Sequence, residues 1–226
     1  MKGFTQRYGV DYLETYAPVV KLGSLRILLA IEAFYDFEIH QGDITTAYLL
    51  GHLEEELYLE IPEGVDVSEG EAKGGRPVCR LLRGLYGLKQ SGRTWNKPWD
   101  EFLIDKCNFQ RSSEEYGVYY QIGNQQTPLW TLIWVDNILW IRTQQPIKEA
   151  KKELGQKFPL KDLGPAHFFL AIRIVLKPIK RKITLAQDQY IETLLKSFGF
   201  QDCYPVSTPL DPGAQLVSSQ PGDIAA

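Results

Sequence analysis

Residues 129–142, LWTLIWVDNILWIR, constrain the fold more than any other stretch of this 226-residue chain. Two short runs of Trp, Leu, Ile and Val close around Val135, Asp136 and Asn137. Such runs read as β-strands, and Asp and Asn both tolerate the backbone of a tight turn, so the segment is expected to be a β-hairpin. An acid beside an amide in apolar surroundings has a second reading, as half of a metal-binding site with one carboxylate missing. Both readings stand at this point.

The flanking segments alternate in type without a regular βαβ order. Residues 24–37 carry apolar side chains at helical spacing behind Ser24, a candidate cap. Residues 37–41 alternate like a strand, with Asp43 at or near its end. A strand at 55–62 places Leu57, Leu59 and Ile61 on one face and is ended by Pro62. Residues 63–77, rich in Gly and charge, read as a loop. A helix is expected over 93–109 with Pro98 near its start, then strands at 116–122, 129–135 and 138–142. A basic amphipathic helix at 146–158, a hairpin from 166–176 and 182–187, and a helix at 188–200 complete the pattern, with a frayed tail beyond Pro205. This order predicts an α+β fold, an antiparallel sheet with packed helices.

Composition narrows the class. The net charge of −3 gives no global sign of nucleic-acid binding. The charge is nevertheless segregated: residues 38–71 hold ten Asp or Glu and no Lys or Arg, whereas 148–182 hold ten Lys or Arg against three acids. That suits cations in one place and an anionic polymer in another, or simply solvated surface faces. Cys79, Cys107 and Cys203 are far apart and form no metal-ligand or disulfide pattern. No apolar run reaches membrane-spanning length, so an intracellular protein without membrane contact is expected.

Two acids occupy unusual places, Asp43 and Asp136, each at the end of an extended apolar stretch. If their strands are neighbours, the carboxylates converge at one sheet edge and suit Mg²⁺. Two such ions can activate an attacking hydroxyl and stabilise a departing phosphate oxygen. The bland alternative has Asp43 capping a helix over TTAYLL and Asp136 making a turn. Residues 83–95, RGLYGLKQSGRTW, combine Gly with cations ahead of a helix and suit phosphate, or are an ordinary Gly-rich entry to a helix.

Six blocks in order, KGFTQRYGVDYLETYAPVVKLGSLRILLA, HQGDITTAYLLGHLEEELYLEIPEG, VCRLLRGLYGLKQSGRTW, WVDN, FPLKDLGPAHFFLAIRI and ITLAQDQYIETLLKSFGFQDCYPVSTPL, resemble the reverse transcriptase of copia-type LTR retrotransposons over residues 2–210. The resemblance implies an RNA-directed DNA polymerase with a palm and partial fingers over 1–176, the start of a thumb over 177–205, and a tail over 206–226. It implies metal ligation of two Mg²⁺ (or Mn²⁺) ions by Asp43, Asp136 and the carbonyl of Ile44, with Asn137 as third member of the catalytic set. It also implies a nucleotide site at Ile44, Tyr48, Gly87, Lys89, Gln90 and Ser91, and a primer grip at Phe169, Leu170 and Ala171. The ring of Tyr48 would clash with a 2′-hydroxyl and favour dNTPs. The implied partners are an RNA or DNA template-primer, dNTPs, and the integrase and RNase H of a parent polyprotein. The implied setting is cytoplasmic, within a virus-like particle, or nuclear.

Departures from the family pattern point the other way. Asn137 stands for the second Asp of a Tyr-Val-Asp-Asp turn, and Trp134 for its Tyr. Ala171 replaces a usual Gly and Leu50 a usual Asn. The chain begins within the family's first block, so the resemblance leads one to expect the upstream basic fingers strand to be absent and the thumb to be cut short. It likewise leads one to expect a fragment or decayed copy of a larger polyprotein. Together these imply impaired polymerase activity or, as the alternative, a catalytically inactive relic that keeps the fold and binds nucleic acid weakly.

Overall fold

The hairpin expected around Val135 lies inside a six-stranded antiparallel sheet in this computed structural model, which describes residues 3–65, 77–123, 127–177, 180–207 and 213. The strands in chain order are β1 (Glu38–Ile44), a separate pair β2 (His52–Glu60) and β3 (Val78–Arg83), then β4 (Gln110–Arg111), β5 (Val118–Ile122), β6 (Pro128–Trp134), β7 (Asn137–Arg142) and β8 (Leu160–Pro165). The large sheet runs β4-β5-β6-β7-β1-β8. A three-stranded sheet of β9 (Phe168–Phe169), β10 (Ile172–Lys177) and β11 (Lys182–Ala186) follows. The α+β expectation of antiparallel sheets with packed helices holds.

Period-two alternation decides what each face of the large sheet meets. Ile138 and Trp140 of β7, with Tyr119, Leu129 and Ile133, join Trp95, Trp99 and Leu103 of α2 (Ser91–Asp105) and Ile147, Ala150 and Leu154 of α3 (Gln144–Lys157). Leu139 and Ile141 face the other way, with Leu132 and Ile39, onto Leu25, Leu28 and Leu29 of α1 (Leu22–Tyr35) and onto Phe169 and Ile174 of the small sheet. Strand β7 is therefore buried on both faces from Ile138 to Arg142. That explains why its sequence is a continuous apolar run rather than an alternating one.

Several local expectations change. Helix α1 starts two residues before Ser24, and Ser24 is not its cap; its hydroxyl donates to Glu115 Oε2 at 3.1 Å instead. Pro98 lies in the interior of α2 rather than near its start. It can supply no donor to the carbonyl of Thr94, and burial of the Trp95, Trp99 and Leu103 face offsets that loss. Asp43 caps no helix: it belongs to β1, and the 3-10 turn Ala47–Leu50 begins after Thr46 without a side-chain cap. Strands β3, β4 and β8 have no counterpart in the sequence reading, and the hairpin expected from 166 onward gains β9 as a third strand. Part of the 63–77 loop (66–76) and most of the expected tail (208–212 and 214–226) lie outside the described residues.

The chain divides into two compact units, Met1–Ala186 and Gln187–Ala226. Within the second, α4 (Asp188–Ser197) carries Asp188 in its first turn and Lys196 in its last, each favourable to the helix dipole. No described helix is long and apolar enough to cross a membrane.

One acid is built into the core face of α1. Glu32 is 6% exposed, and burial, followed by the charge of Asp36, lifts its carboxyl from the ordinary 4.5 to about 7. The folded state thus holds this proton more tightly than the unfolded chain. Its contribution is fully present below about pH 4.5 and is lost as pH rises through about 7. Glu32→Gln is expected to remove that slope and to exceed the wild type at pH 8 by on the order of 2–3 kcal/mol. Urea midpoints from pH 5 to 8 check this; parallel curves for the two proteins would refute it.

Candidate active site

The two unusual acids do converge. In the β1–β7 register Asp43 lies directly opposite Asn137, and the two-residue loop Val135-Asp136 joins β6 to β7. The hairpin tip is thus Val135-Asp136, with Asn137 already inside the strand. Residues directly opposite in an antiparallel pair share a face, so Asp43 and Asn137 project to the same side. The amide of Ile44 donates to the carbonyl of Asp136 at 2.8 Å and ties the loop to the end of β1.

The loop is strained. Val135 has φ +59°, a left-handed value that is uncommon for any non-Gly residue and an outlier for a β-branched one. A two-residue hairpin loop with positive φ at its first position ordinarily takes Gly there. Two contacts hold Val135 in place: the Ile44–Asp136 bond, and the indole of Trp95, whose Nε1 donates to the Val135 carbonyl at 2.7 Å. Helix α2 thereby fixes the position of Asp136.

Electrostatics bind the acids to their neighbours. The Asp43 carboxyl is raised above its ordinary 3.8, first by burial and then by the charge of Asp136; Lys161, its register partner on β8, acts in the opposite direction. Asn137 Nδ2 donates to Asp136 Oδ1 at 2.9 Å. Tyr48 and Tyr86 face each other with ring centroids 4.7 Å apart. Both phenols are raised, by burial first and by Asp136 second, and Tyr86 also hydrogen-bonds Asp136. Gly84 permits this approach, since a Cβ there would lie 2.7 Å from the Tyr48 carbonyl oxygen.

The remaining candidates fall into two groups. Gly87 (φ +96°), Lys89, Gln90 and Ser91 form the turn that leads into α2. Gln90 and Ser91 are buried, and the Ser91 hydroxyl donates to the Leu85 carbonyl at 2.7 Å. The Lys89 ammonium lies 3.3 Å from the Tyr12 hydroxyl and over its ring. Phe169, Leu170 and Ala171 form the β9–β10 turn, with Phe169 in the core that α1 shares. Leu170 and Ala171 both have positive φ, +52° and +60°.

The left-handed backbone at Ala171 is one that Gly adopts without the penalty of a Cβ. Ala171→Gly is expected to stabilise the protein by about 0.5–1 kcal/mol, the relief of left-handed strain less the extra unfolded-state entropy of Gly. Chemical denaturation checks it, and a lower midpoint for the variant would overturn it.

Tyr86, Lys161 and Trp95 belong to the site but carry no signal that sequence reasoning picked up. Tyr86 sits within a Gly-rich segment read for its cations. Lys161 lies on a strand whose sequence, LKDLGP, does not alternate. Trp95 reads as helix core, which it also is. Among the described residues no group of three or more His, Cys, Asp or Glu side chains is placed to hold a metal.

A pair of acids at the end of adjacent antiparallel strands, one on a tight hairpin loop, is the arrangement that the six sequence blocks lead one to expect. The profile of the reverse transcriptase (RNA-dependent DNA polymerase) family matches residues 1–212, and the chain belongs to that family. It is 38% identical to the retrovirus-related Pol polyprotein from transposon TNT 1-94 of Nicotiana tabacum, over 93% of this chain and 16% of that protein. It is 32% identical to the Pol polyprotein from transposon RE1 of Arabidopsis thaliana, over 95% of this chain and 14% of the relative. The Ty1-ER2 Gag-Pol polyprotein of Saccharomyces cerevisiae is 25% identical over 97% of this chain. The chain thus spans about a sixth of the length of the Pol polyproteins it matches best among these. No solved structure matches it significantly.

Proposed function

We propose that this chain is the polymerase portion of a retrotransposon Pol polyprotein, an RNA-directed DNA polymerase whose chemistry centres on Asp43 and Asp136. The observation that carries the reading is the convergence of the two acids at the ends of neighbouring strands. Asp43 lies across from Asn137, is tied through Ile44 to the loop that bears Asp136, and is held above its ordinary range by burial and by Asp136. Two half-buried carboxylates beside a backbone carbonyl are oxygen donors of the kind that hard divalent cations favour. Asp43, Asp136 and the carbonyl of Ile44 would hold Mg²⁺ or Mn²⁺. The chemistry such ions supply is activation of the primer hydroxyl and charge neutralisation at the departing phosphate oxygen.

The protein's own groups do the rest. The Tyr48 ring, braced by Tyr86, walls the space beside the acids and excludes a 2′-hydroxyl. The turn of Gly87, Lys89, Gln90 and Ser91 borders the nucleotide. Phe169, Leu170 and Ala171 steady the primer end. On this reading residues 1–176 are a palm with part of the fingers, 177–205 begin the thumb and 206–226 are a tail. The substrates are a template-primer and dNTPs, integrase and RNase H act as companion domains, and the setting is intracellular.

A second reading, a catalytically silent relic, is favoured by one observation. Asn137 donates its amide to Asp136 Oδ1, so a neutral group occupies an oxygen that a cation needs. Primer extension on an RNA template with Mg²⁺ or Mn²⁺, with Asp43→Asn as the blank, separates the two. Cation-dependent dNTP incorporation absent from the blank supports the polymerase; none above the blank with either ion supports the relic.

A further inference from the structure

We propose that residues 3–12 act as a clamp that sets the shape of the Gly87–Ser91 turn, with Gln6 as its positioning residue. The proposal rests on the reading that this turn borders the nucleotide, and it names what holds the turn in place. The Gln6 side chain uses both ends of its amide on the turn: Oε1 accepts from the Lys89 backbone N–H at 2.8 Å, and Nε2 donates to Gln90 Oε1 at 3.0 Å. Gln90 passes the contact back, its Nε2 donating to the Asp11 carbonyl at 2.9 Å. Gln90 is 1% exposed, so neither of its bonds can be replaced by water without opening the contact.

Backbone fit closes the other end. Gly3 lies so close to the turn that a Cβ there would stand 1.7 Å from the Gly87 carbonyl oxygen, an overlap only backbone movement can relieve. The segment is itself folded: the Gln6 amide donates to the Gly3 carbonyl at 3.1 Å, and Asp11 Oδ2 accepts from the Arg7 amide at 2.7 Å. Tyr12 then presents its ring and hydroxyl to the Lys89 ammonium. The segment thus meets the turn through four hydrogen bonds across more than seventy-five residues of sequence. The donor and acceptor of one side chain fix both the amide and the neighbour of Lys89, which sets where the Lys89 ammonium can reach.

Two variants break the clamp by different routes. Gln6→Ala removes both side-chain bonds, and Gly3→Ala forces the segment off Gly87 while leaving Gln6 intact. Amide hydrogen exchange at Lys89 is expected to accelerate at least tenfold in each, with exchange in β6 and β7 unchanged. In primer extension the KM for dNTP is expected to rise about tenfold, with kcat within about twofold of the parent. Unchanged Lys89 exchange in both variants overturns the clamp. Faster exchange with an unchanged KM leaves the clamp standing and refutes its link to nucleotide, which would be a failure of the turn's proposed role. Gln6→Glu keeps the acceptor for Lys89 but loses the donor to Gln90. It should protect Lys89 more than Gln6→Ala does; equal exchange in the two would also count against the proposal.

Discussion

Asn137→Asp is expected to raise cation-dependent primer extension by ten- to a hundredfold, about 1.4–2.7 kcal/mol of barrier. The substitution acts twice. It frees Asp136 Oδ1 from the amide that now donates to it at 2.9 Å, and it adds a carboxylate directly across from Asp43. In the absence of divalent cation the same change is costly. A hydrogen bond to a charged acceptor is lost, and three like charges are gathered in a partly buried place, which together should lower stability by on the order of 2 kcal/mol. Divalent cation should recover that stability in the Asp variant far more than in the parent, by mass action on the folded state. Thermal unfolding with and without Mg²⁺ or Mn²⁺ reads this apart from activity. If the Asp variant gains neither extension nor cation-dependent stability, Asn137 is not what limits the site.

Trp95→Ala is expected to destabilise the protein by about 3–5 kcal/mol, the range for truncating a large buried aromatic. Trp95 is 1% exposed and sits against Trp99 and Phe158, with ring centroids at 5.9 and 5.3 Å. Trp95→Phe keeps most of that packing and removes only the bond to the Val135 carbonyl, for about 1–3 kcal/mol. The Phe variant carries the functional information. Without its indole anchor the strained Val135 can relax, and Asp136 moves with it. Extension activity should therefore fall by more than the loss of folded protein accounts for. In a Val135→Gly background, where there is no β-branched strain to relax, the same substitution should cost activity less. Additive effects of the two changes would show that the indole and the turn are not coupled.

The hairpin was legible because its apolar runs are long and its turn residues few, but that Asp43 meets Asp136 depended on their strands being neighbours, which the order of the segments left open. Helix faces were legible for the same reason: Trp95, Trp99 and Leu103 recur at helical spacing. What sequence did not reveal are contacts whose partners lie far apart in the chain and have no periodicity. Lys161 meets Asp43 only because β8, short and interrupted by Gly and Pro, pairs with β1 through an irregular register. Tyr86 meets Tyr48 across two loops that Gly84 lets touch, and reaches Asp136 from there. Pro98 misled by its identity, since its cost to a helix is fixed while the offsetting burial depends on tertiary packing. Ala171 was recognisable as a departure in a turn and Val135 as a residue of one, but the positive φ that makes them costly is visible only in the folded backbone.

The burial of β7 decides which of its residues can change without loss of the fold. From Ile138 onward every residue of the strand is locked between two layers of side chains, whereas Asn137 at its open end is half-buried and Trp134, its partner at the end of β6, is exposed. A change in the locked part opens a cavity or strands a polar group and costs stability. A change at the open end leaves a well-folded protein with altered chemistry. The rim that carries Asn137 can therefore exchange its polar groups while the scaffold beneath it holds, which the buried run from Ile138 onward cannot do.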